Sequence, residues 1–275
     1  MSGSCGVTMT AAQEVHCNIS PVAAQLDARP VEKRIGLVAL ATDHTTETDF
    51  ARMMHGHDIG FYVNRIEFEN PTTHESLLRT GPRLTDAAKE ILPDEPLDVL
   101  VYGCTAASVV LGNDKVAEHM SNAKPGTACV TPSSAAFDAF DALGVNKISV
   151  LTPYTQDITD SLVRYFLQHG RQVVNAACFG LADDRDMARV SKQSIIEGGV
   201  AACDPDADAL FISCTAVRAA SCVAQLEDRL GKPVVTSNQA MVWRCLRHLG
   251  ITSDYPAGGM LFKKNVAMTG HHDAL

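Results

Sequence analysis

A pattern in the first half of this chain returns in the second half. Asp98, Leu100, Cys104, Thr105 and Ala106 are matched in order and spacing by Asp208, Leu210, Cys214, Thr215 and Ala216, which sets the two cysteines 110 residues apart. Ser108 has a looser counterpart in Ser221. An apolar run through Ile35 returns at Ile148, and a helix opened by Thr131-Pro132-Ser133-Ser134 and closed by Gly144 returns between Thr236-Ser237-Asn238 and Gly250. Four landmarks thus recur in order at offsets of 105 to 113, which chance rarely supplies. A chain built this way is expected to fold as two related halves.

The apolar runs Arg34–Leu40, Asp98–Gly103, Lys147–Leu151, Asp208–Ser213 and Pro233–Thr236 are continuous rather than alternating. That is the mark of strands covered on both faces, as in parallel sheets. Helical stretches at Asp86–Leu92, Ser133–Leu143, Ile158–His169 and Asn238–Leu249 lie between them, and such alternation implies βαβ units with right-handed crossovers. The expected fold is α/β: two homologous lobes, 34–144 and 145–250, each a parallel sheet flanked by helices, related by an approximate two-fold axis. Residues 1–33 read as an N-terminal extension. Residues 251–275 read as a tail that packs back on the lobes or frays, with a short strand at Gly259–Phe262 and a frayed end from Gly270.

Ligands of open α/β sheets sit at the carboxyl ends of the strands, so two lobes facing each other are expected to place one cysteine on each wall of a shared cleft. A side chain at a strand–helix junction lies near unpaired N–H groups of partial positive charge. Such a place lowers a thiol pKa toward neutrality, where it can give and take protons. Thr105 and Thr215, with the N–H groups beside them, are placed to hold a carboxylate and to stabilise the enolate formed when a neighbouring carbon loses its proton. Free cysteines are more often core fillers. That reading is kept for the other seven, Cys5, Cys17, Cys129, Cys178, Cys203, Cys222 and Cys245, and set aside for the pair because both occupy equivalent places in a repeat.

Several functions are excluded. The net charge of −9 and pI of about 5.5 argue against nucleic acid as a partner, since phosphate backbones require a surplus of Lys and Arg. No run approaches the roughly 20 apolar residues of a membrane helix. The first 29 residues lack a basic start followed by an apolar core, so no export signal is expected, and the chain is expected in the cytoplasm with its nine cysteines reduced. No two cysteines are closer than Cys214 and Cys222, eight apart, so zinc-ligand spacing is absent. Gly-rich nucleotide fingerprints are also missing. The expected enzyme needs no metal and no cofactor.

The paired Cys-Thr turns, the duplicated lobes, and Thr152-Pro153-Tyr154 after a strand resemble the aspartate/glutamate racemase superfamily. Thr152-Pro153-Tyr154 and the segment Tyr62–Ile66 are most similar to the branch containing maleate cis–trans isomerase, arylmalonate decarboxylase and the ectoine-utilisation protein EutA. The resemblance spans about residues 34–256. It implies that Cys104 and Cys214 are the catalytic thiols, that Tyr154 hydrogen-bonds a substrate carboxylate, and that Thr105 and Thr215 belong to the carboxylate cradle. It implies an isomerase or racemase, and relatives often form homodimers. The decarboxylase of the branch keeps only the second cysteine, so the presence of Cys104 argues against that activity.

Two departures bear on the substrate. Where the isomerases carry Pro-Ser-x-Asn after the first strand, this chain has Ala39-Leu40-Ala41-Thr42-Asp43-His44-Thr45-Thr46-Glu47. A second asparagine of the isomerases is replaced by Asp183 or Asp184, with Asp184 taken as the site residue. A carboxylate facing a carboxylate is repulsive, so Asp43, His44 and Asp184 suit a substrate that also carries a cationic nitrogen. The run from Ala41 to Glu47 is similar to the EutA type and points to an amino acid derived from ectoine or hydroxyectoine. Maleate isomerisation, arylmalonate-type decarboxylation, and non-catalytic capture of a small acid stand as alternatives. His55 and His57 read as a surface turn rather than metal ligands. Ser133-Ser134 and Thr236-Ser237-Asn238 read first as helix caps, and as possible anion binders because such junctions line the cleft.

Overall fold

The computed structural model describes residue 17 and residues 19–264; the expected frayed end from Gly270 and Cys5 lie outside them. Up to Pro30 the described residues form a unit of their own, with Ile19, Val22 and Leu26 exposed. Residues from Val31 onward form a second unit, whose architecture follows from the repeat.

In the first half, strands β1 (Lys33–Leu40), β2 (Ile59–Ile66), β3 (Val99–Gly103) and β4 (Ala128–Val130) make a parallel sheet in the order β2-β1-β3-β4. In the second, β5 (Lys147–Thr152), β6 (Gln172–Cys178), β7 (Ala209–Ile212) and β8 (Val234–Thr236) repeat the order as β6-β5-β7-β8, again parallel. The helices that matter to the site are α1 (Thr46–Met53), α2 (His74–Leu78), α3 (Gly81–Lys89), α4 (Thr105–Leu111), α5 (Asn113–Ala123), α6 (Pro132–Leu143), α7 (Gln156–Gln168), α8 (Asp184–Arg189), α9 (Lys192–Ala202), α10 (Val223–Leu230) and α11 (Ser237–His248). Helix α6 starts on a capping box at Thr131, just before the expected Ser133-Ser134, and α11 starts after Thr236, whose amide donates to Gln239 Oε1 at 2.9 Å; the two helices pack against each other.

Alternation along the central strands divides the core in two. Ile35, Leu37 and Ala39 of β1, Val99 and Val101 of β3, Ile148 and Val150 of β5, and Ala209 and Phe211 of β7 enter one buried cluster with α6 and α11. The residues between them, Val38, Leu40, Leu100, Tyr102, Leu151, Leu210 and Ile212, enter the other, and so do Cys104, Cys214 and Tyr154. Successive strand residues point to opposite faces, so both cysteines are delivered to the same cluster. Each fully buried Val, Leu or Ile contributes roughly 1.5–3 kcal/mol relative to exposure.

Two expectations are corrected. Gly259–Phe262 is not a strand but a four-residue helix, α12, whose Leu261 and Phe262 are buried. Its amide at Met260 donates to the buried Glu227 carboxylate, which ties the segment back to α10. The second cysteine turn is not followed directly by an α-helix: Arg218–Cys222 is a 3-10 helix, and α10 begins only at Val223. Among the described residues no helix is long and apolar enough to cross a membrane.

Candidate active site

Cys104 stands at the N-terminus of α4 in extended backbone, φ −149° and ψ 111°, where the Ala107 amide acts to lower its thiol pKa. Cys214 sits in the matching turn but with φ +94°, a conformation that costs a non-glycine residue on the order of 1–3 kcal/mol and persists only where the surroundings enforce it. The Ala216 amide acts to lower its thiol pKa. Both side chains are almost wholly enclosed, at 6% and 5% exposure. They lie close enough that negative charge on Cys104 raises the pKa of Cys214.

The two turns are clasped across the lobes. Thr215 donates its hydroxyl to the carbonyl of Gly103 at 3.1 Å. Thr105 donates to Ser237 Oγ at 2.9 Å, and the same oxygen accepts the Cys214 amide at 3.1 Å. Asn238 adds a bond from Nδ2 to the Thr215 carbonyl and another to Asp49. The threonine hydroxyls expected to cradle a substrate therefore hold the turns together, while the N–H groups of the first turn of α4 remain the donors at this face. Ser237 and Asn238, read first as caps, are part of the site's frame.

A tyrosine attends each thiol. Tyr154 is buried in the same cluster as Cys214, its hydroxyl 3.3 Å from Ser213 Oγ. Tyr102, a strand residue in the sequence pattern, lies in the same buried cluster as Cys104 and donates its hydroxyl to Thr80 Oγ1 at 2.9 Å. Burial pushes both phenols above their ordinary range.

The acidic residues divide. Asp43 Oδ1 accepts the amides of Thr45 and Thr46 at 2.8 Å each, and Oδ2 accepts the Thr46 hydroxyl at 2.7 Å. Its carboxylate caps the start of α1 and is engaged there rather than turned to a ligand. Asp183 faces outward, capping α8 and paired with Arg185. Asp184 faces inward, buried, with Thr42 Oγ1 donating to Oδ2 at 2.6 Å and its amide bound by Asn70 Oδ1 at 2.9 Å. Burial lifts its pKa to about 6, the Thr42 bond opposes the rise, and Asp43 adds to it. His44 is exposed, near enough for its charge to favour ionised Asp184.

The thiols are not acidified as the helix-terminus reading expects. Burial pushes Cys104 up to about 12 against the Ala107 amide, and the carboxylates of Asp184 and Asp43 push the same way. Cys214 is raised by burial first and by Asp184 second. Desolvation outweighs the helix terminus here, because removing a sulfur anion from water costs more than one or two N–H groups return.

The site is also closed to solvent. The Thr72 amide donates to the Ala182 carbonyl at 2.7 Å, so the loop after β2 meets the loop after β6 beside the Asn70–Asp184 contact. An open cleft of about 590 Å³ lies instead between α5, β4 and α11, lined by Asn113, Thr131, Ser134, Arg244 and His248 among others, and it contains neither Cys104 nor Cys214. His57 bonds Ser253, as a surface turn does. Among the described residues no group of three or more His, Cys, Asp or Glu is placed to hold a metal ion.

Known proteins share this arrangement of elements. The maleate isomerase of Geobacillus stearothermophilus is 25% identical over 243 residues, covering 83% of this chain and 96% of that protein. The crystal structure of the maleate isomerase of Pseudomonas putida S16 with maleate superposes with a TM-score of 0.78 at 23% identity, covering 86% of this chain and 99% of that one. A Nocardia farcinica maleate cis–trans isomerase variant with a covalently bound succinylcysteine intermediate superposes at 0.77 with 21% identity, covering 84% and 98%. Residues 86–262, which hold both cysteine turns, match the arylmalonate decarboxylase family over more than half the chain, and to that family the chain belongs.

Proposed function

We propose that this protein is a cofactor-independent isomerase that moves a proton at a carbon next to a carboxylate, with Cys104 and Cys214 as its two working groups. The observation that carries this reading is the convergence of two enclosed thiols, from equivalent turns of a repeated fold, on one cluster. One sulfur, as thiolate, takes the α-hydrogen as a proton. The electron pair left behind passes into the carboxylate as an enediolate, which the N–H groups at the start of α4 stabilise. The other thiol returns a proton to the opposite face, so the negative charge ends on the second sulfur and the carbon is inverted.

The thiols at rest are protonated, so substrate binding must make the first thiolate. Asp184 supports an answer. Its charge bears on both sulfurs, and a cationic nitrogen placed beside it cancels that charge and eases thiolate formation. This favours a zwitterionic amino acid over a dicarboxylate, and the similarity of Ala41–Glu47 to the EutA type makes an ectoine- or hydroxyectoine-derived amino acid the substrate we put first. Tyr154 is assigned to the substrate carboxylate, and His44 and Asp184 to the nitrogen-bearing end. Proton exchange at Cα in deuterated water, surveyed over amino acids and dicarboxylates, tests the reading. Deuterium incorporation that is lost on replacing either cysteine is the expected result, and retention with both replaced would sink it. Cis–trans isomerisation of maleate is the second reading, favoured by the succinylcysteine in the Nocardia farcinica relative. It requires sulfur addition to a double bond and predicts turnover of maleate with no Cα exchange in amino acids.

A further inference from the structure

Three costly features stand together around the Cys214 turn. Cys214 itself holds φ +94°, which a residue with a Cβ keeps only under constraint. Asn238 is buried, and its Oδ1 has no hydrogen-bond partner among the described residues, so a polar atom is desolvated without return. Asp49 is enclosed as well, at 2% exposure, where a carboxylate is costly to keep charged. Asn238 joins the three. Its Nδ2 donates to the Thr215 carbonyl and to Asp49 Oδ2, at 2.9 Å each. A backbone carbonyl only accepts, so the nitrogen end of the amide must face Thr215, and its second N–H then falls to Asp49. The other oxygen of Asp49 takes Arg52 Nη1 at 3.1 Å, which anchors the carboxylate to α1.

The turn is held at three consecutive residues. The Cys214 amide donates to Ser237 Oγ at 3.1 Å, the Thr215 carbonyl accepts from Asn238, and the Ala216 carbonyl accepts from Thr45 Oγ1 at 2.6 Å. Stability alone is served as well by an unstrained turn and an apolar pair in place of Asp49 and Asn238. An arrangement kept against that preference marks a place where geometry serves a site. We propose that Asp49 and Asn238 are positioning residues for Cys214: the carboxylate orients the amide, and the amide pins the Thr215 carbonyl, so that the turn stays left-handed and the sulfur stays in the cluster it shares with Cys104. The relay crosses the two halves and is one-sided. The residue equivalent to Asn238, two after the cap of α6, is Ser133, whose hydroxyl goes to Asn113 of its own half. Cys104 has ordinary extended backbone and needs no such hold. The inference rests on the two-thiol reading only in treating the Cys214 sulfur as a group whose place matters.

One test asks whether the relay enforces the strain. Urea denaturation of the full-length protein gives the factor by which Asn238→Ala raises the unfolding constant. It is measured with Cys214 in place and again in Cys214→Gly, where φ +94° carries no penalty. With the cysteine, loss of the amide lets the turn relax and regains part of what the bond gave; with glycine there is nothing to regain. The factor is expected to be about fivefold larger in the glycine background, the lower end of what such a conformation costs. Effects of glycine on the unfolded chain enter both arms and cancel. Equal factors, the result for a bond that serves stability alone, overturn the proposal. A second test reads the sulfur. The protein is alkylated with iodoacetamide at pH 9, and peptide mass spectrometry follows Cys214 with Cys104 as internal reference. Asn238→Ala is expected to speed Cys214 about tenfold and Cys104 less than about twofold, since a released turn frees one sulfur whereas general loosening opens both. Asp49→Ala is expected to match it, and Asp49→Asn, which keeps an oxygen for the amide, to stay within about twofold of wild type. The double variant Asp49→Ala with Asn238→Ala is expected to exceed Asn238→Ala alone by less than about twofold. An unchanged or slowed Cys214, equal acceleration of both cysteines, or additive effects in the double variant overturn the proposal. If Asn238→Ala fails to fold by circular dichroism, Asp49→Ala takes its place in both tests. Neither test uses substrate, so failure here leaves the proposed reaction standing, and failure of the exchange assay leaves this result intact.

Discussion

Thr215 donates its hydroxyl to the carbonyl oxygen of Gly103, 3.1 Å away, and so the turn that carries one cysteine holds the residue just before the other. The contact spans 112 positions in sequence and is buried on both sides. It fixes the distance between the walls of the site more directly than either sheet does. Thr215→Val, close in shape but without the donor, is expected to destabilise the protein by about 1–2 kcal/mol, the cost of a buried carbonyl losing its partner. Thr215→Ser is expected to restore most of it. Urea denaturation of the three proteins decides, and equal midpoints for Val and wild type would show the clasp to be incidental.

Ser237 makes the reciprocal contact, accepting from Thr105 and from the Cys214 amide at once. Ser237→Ala leaves two buried donors without that acceptor. A loss of about 2–4 kcal/mol is expected, larger than at Thr215 because two bonds go. The φ of +94° at Cys214 is then no longer enforced from this side. A fall in kcat with KM changed less than threefold is expected from steady-state kinetics on whichever substrate the exchange survey identifies.

Each thiol is predicted to be separately necessary. Cys104→Ser and Cys214→Ser, one at a time, are expected to lower Cα-proton exchange by about 10²–10⁴, while a carboxylate ligand still binds in calorimetry. Loss with Cys214→Ser alone would move the reaction toward decarboxylation by a single thiol.

Asp184 carries a pH signature. Its folded pKa of about 6 lies above the ordinary 3.8 of a free Asp, so the folded state holds a proton that the unfolded state has released. Its contribution to stability is complete below pH 3.8 and lost as the pH rises through 6. Above that the buried carboxylate is charged, at a cost of order 3 kcal/mol at most. Asp184→Asn keeps an oxygen for Thr42 and removes the charge. It is expected to raise the denaturation midpoint at pH 7.5 and to flatten the decline between pH 4 and 6.5. Both sulfurs should also alkylate faster, since the Asp184 charge holds both thiol pKa values up. An unaltered pH profile would mean that the carboxylate is solvated in solution.

The parts legible in the sequence were those that repeat. Central strands β1, β3, β5 and β7 have apolar residues on both faces, and a continuous run betrays them. Edge strands β2 and β6 do not: they are only half-buried, with β6 alternating between exposed and intermediate residues, so they lack the run that marks a strand. The stretch Arg218–Cys222 is rich in Ala and small residues and reads as helix, yet the backbone at Cys214 and the contacts around it delay α10 by a turn or more. The four apolar residues of α12 are too few for periodicity to separate helix from strand. The thiol pKa expectation failed for a reason of depth: a motif shows that a cysteine stands at a helix N-terminus, but not that the site is sealed. Tyr102 shares a strand face and a cluster with Cys104, a placement that the apolar run around it masks.

Thr131 and Thr236 start equivalent helices, and the next residue is Pro132 in one and Ser237 in the other. Two identical subunits assembled around a symmetry axis could never hold proline on one side and serine on the other. One polypeptide that carries both halves is free of that restriction, so one wall holds a hydroxyl anchor that its twin lacks. An enzyme whose opposing walls differ need not run equally well in both directions, and the first place to look for such a preference is the side that carries the serine.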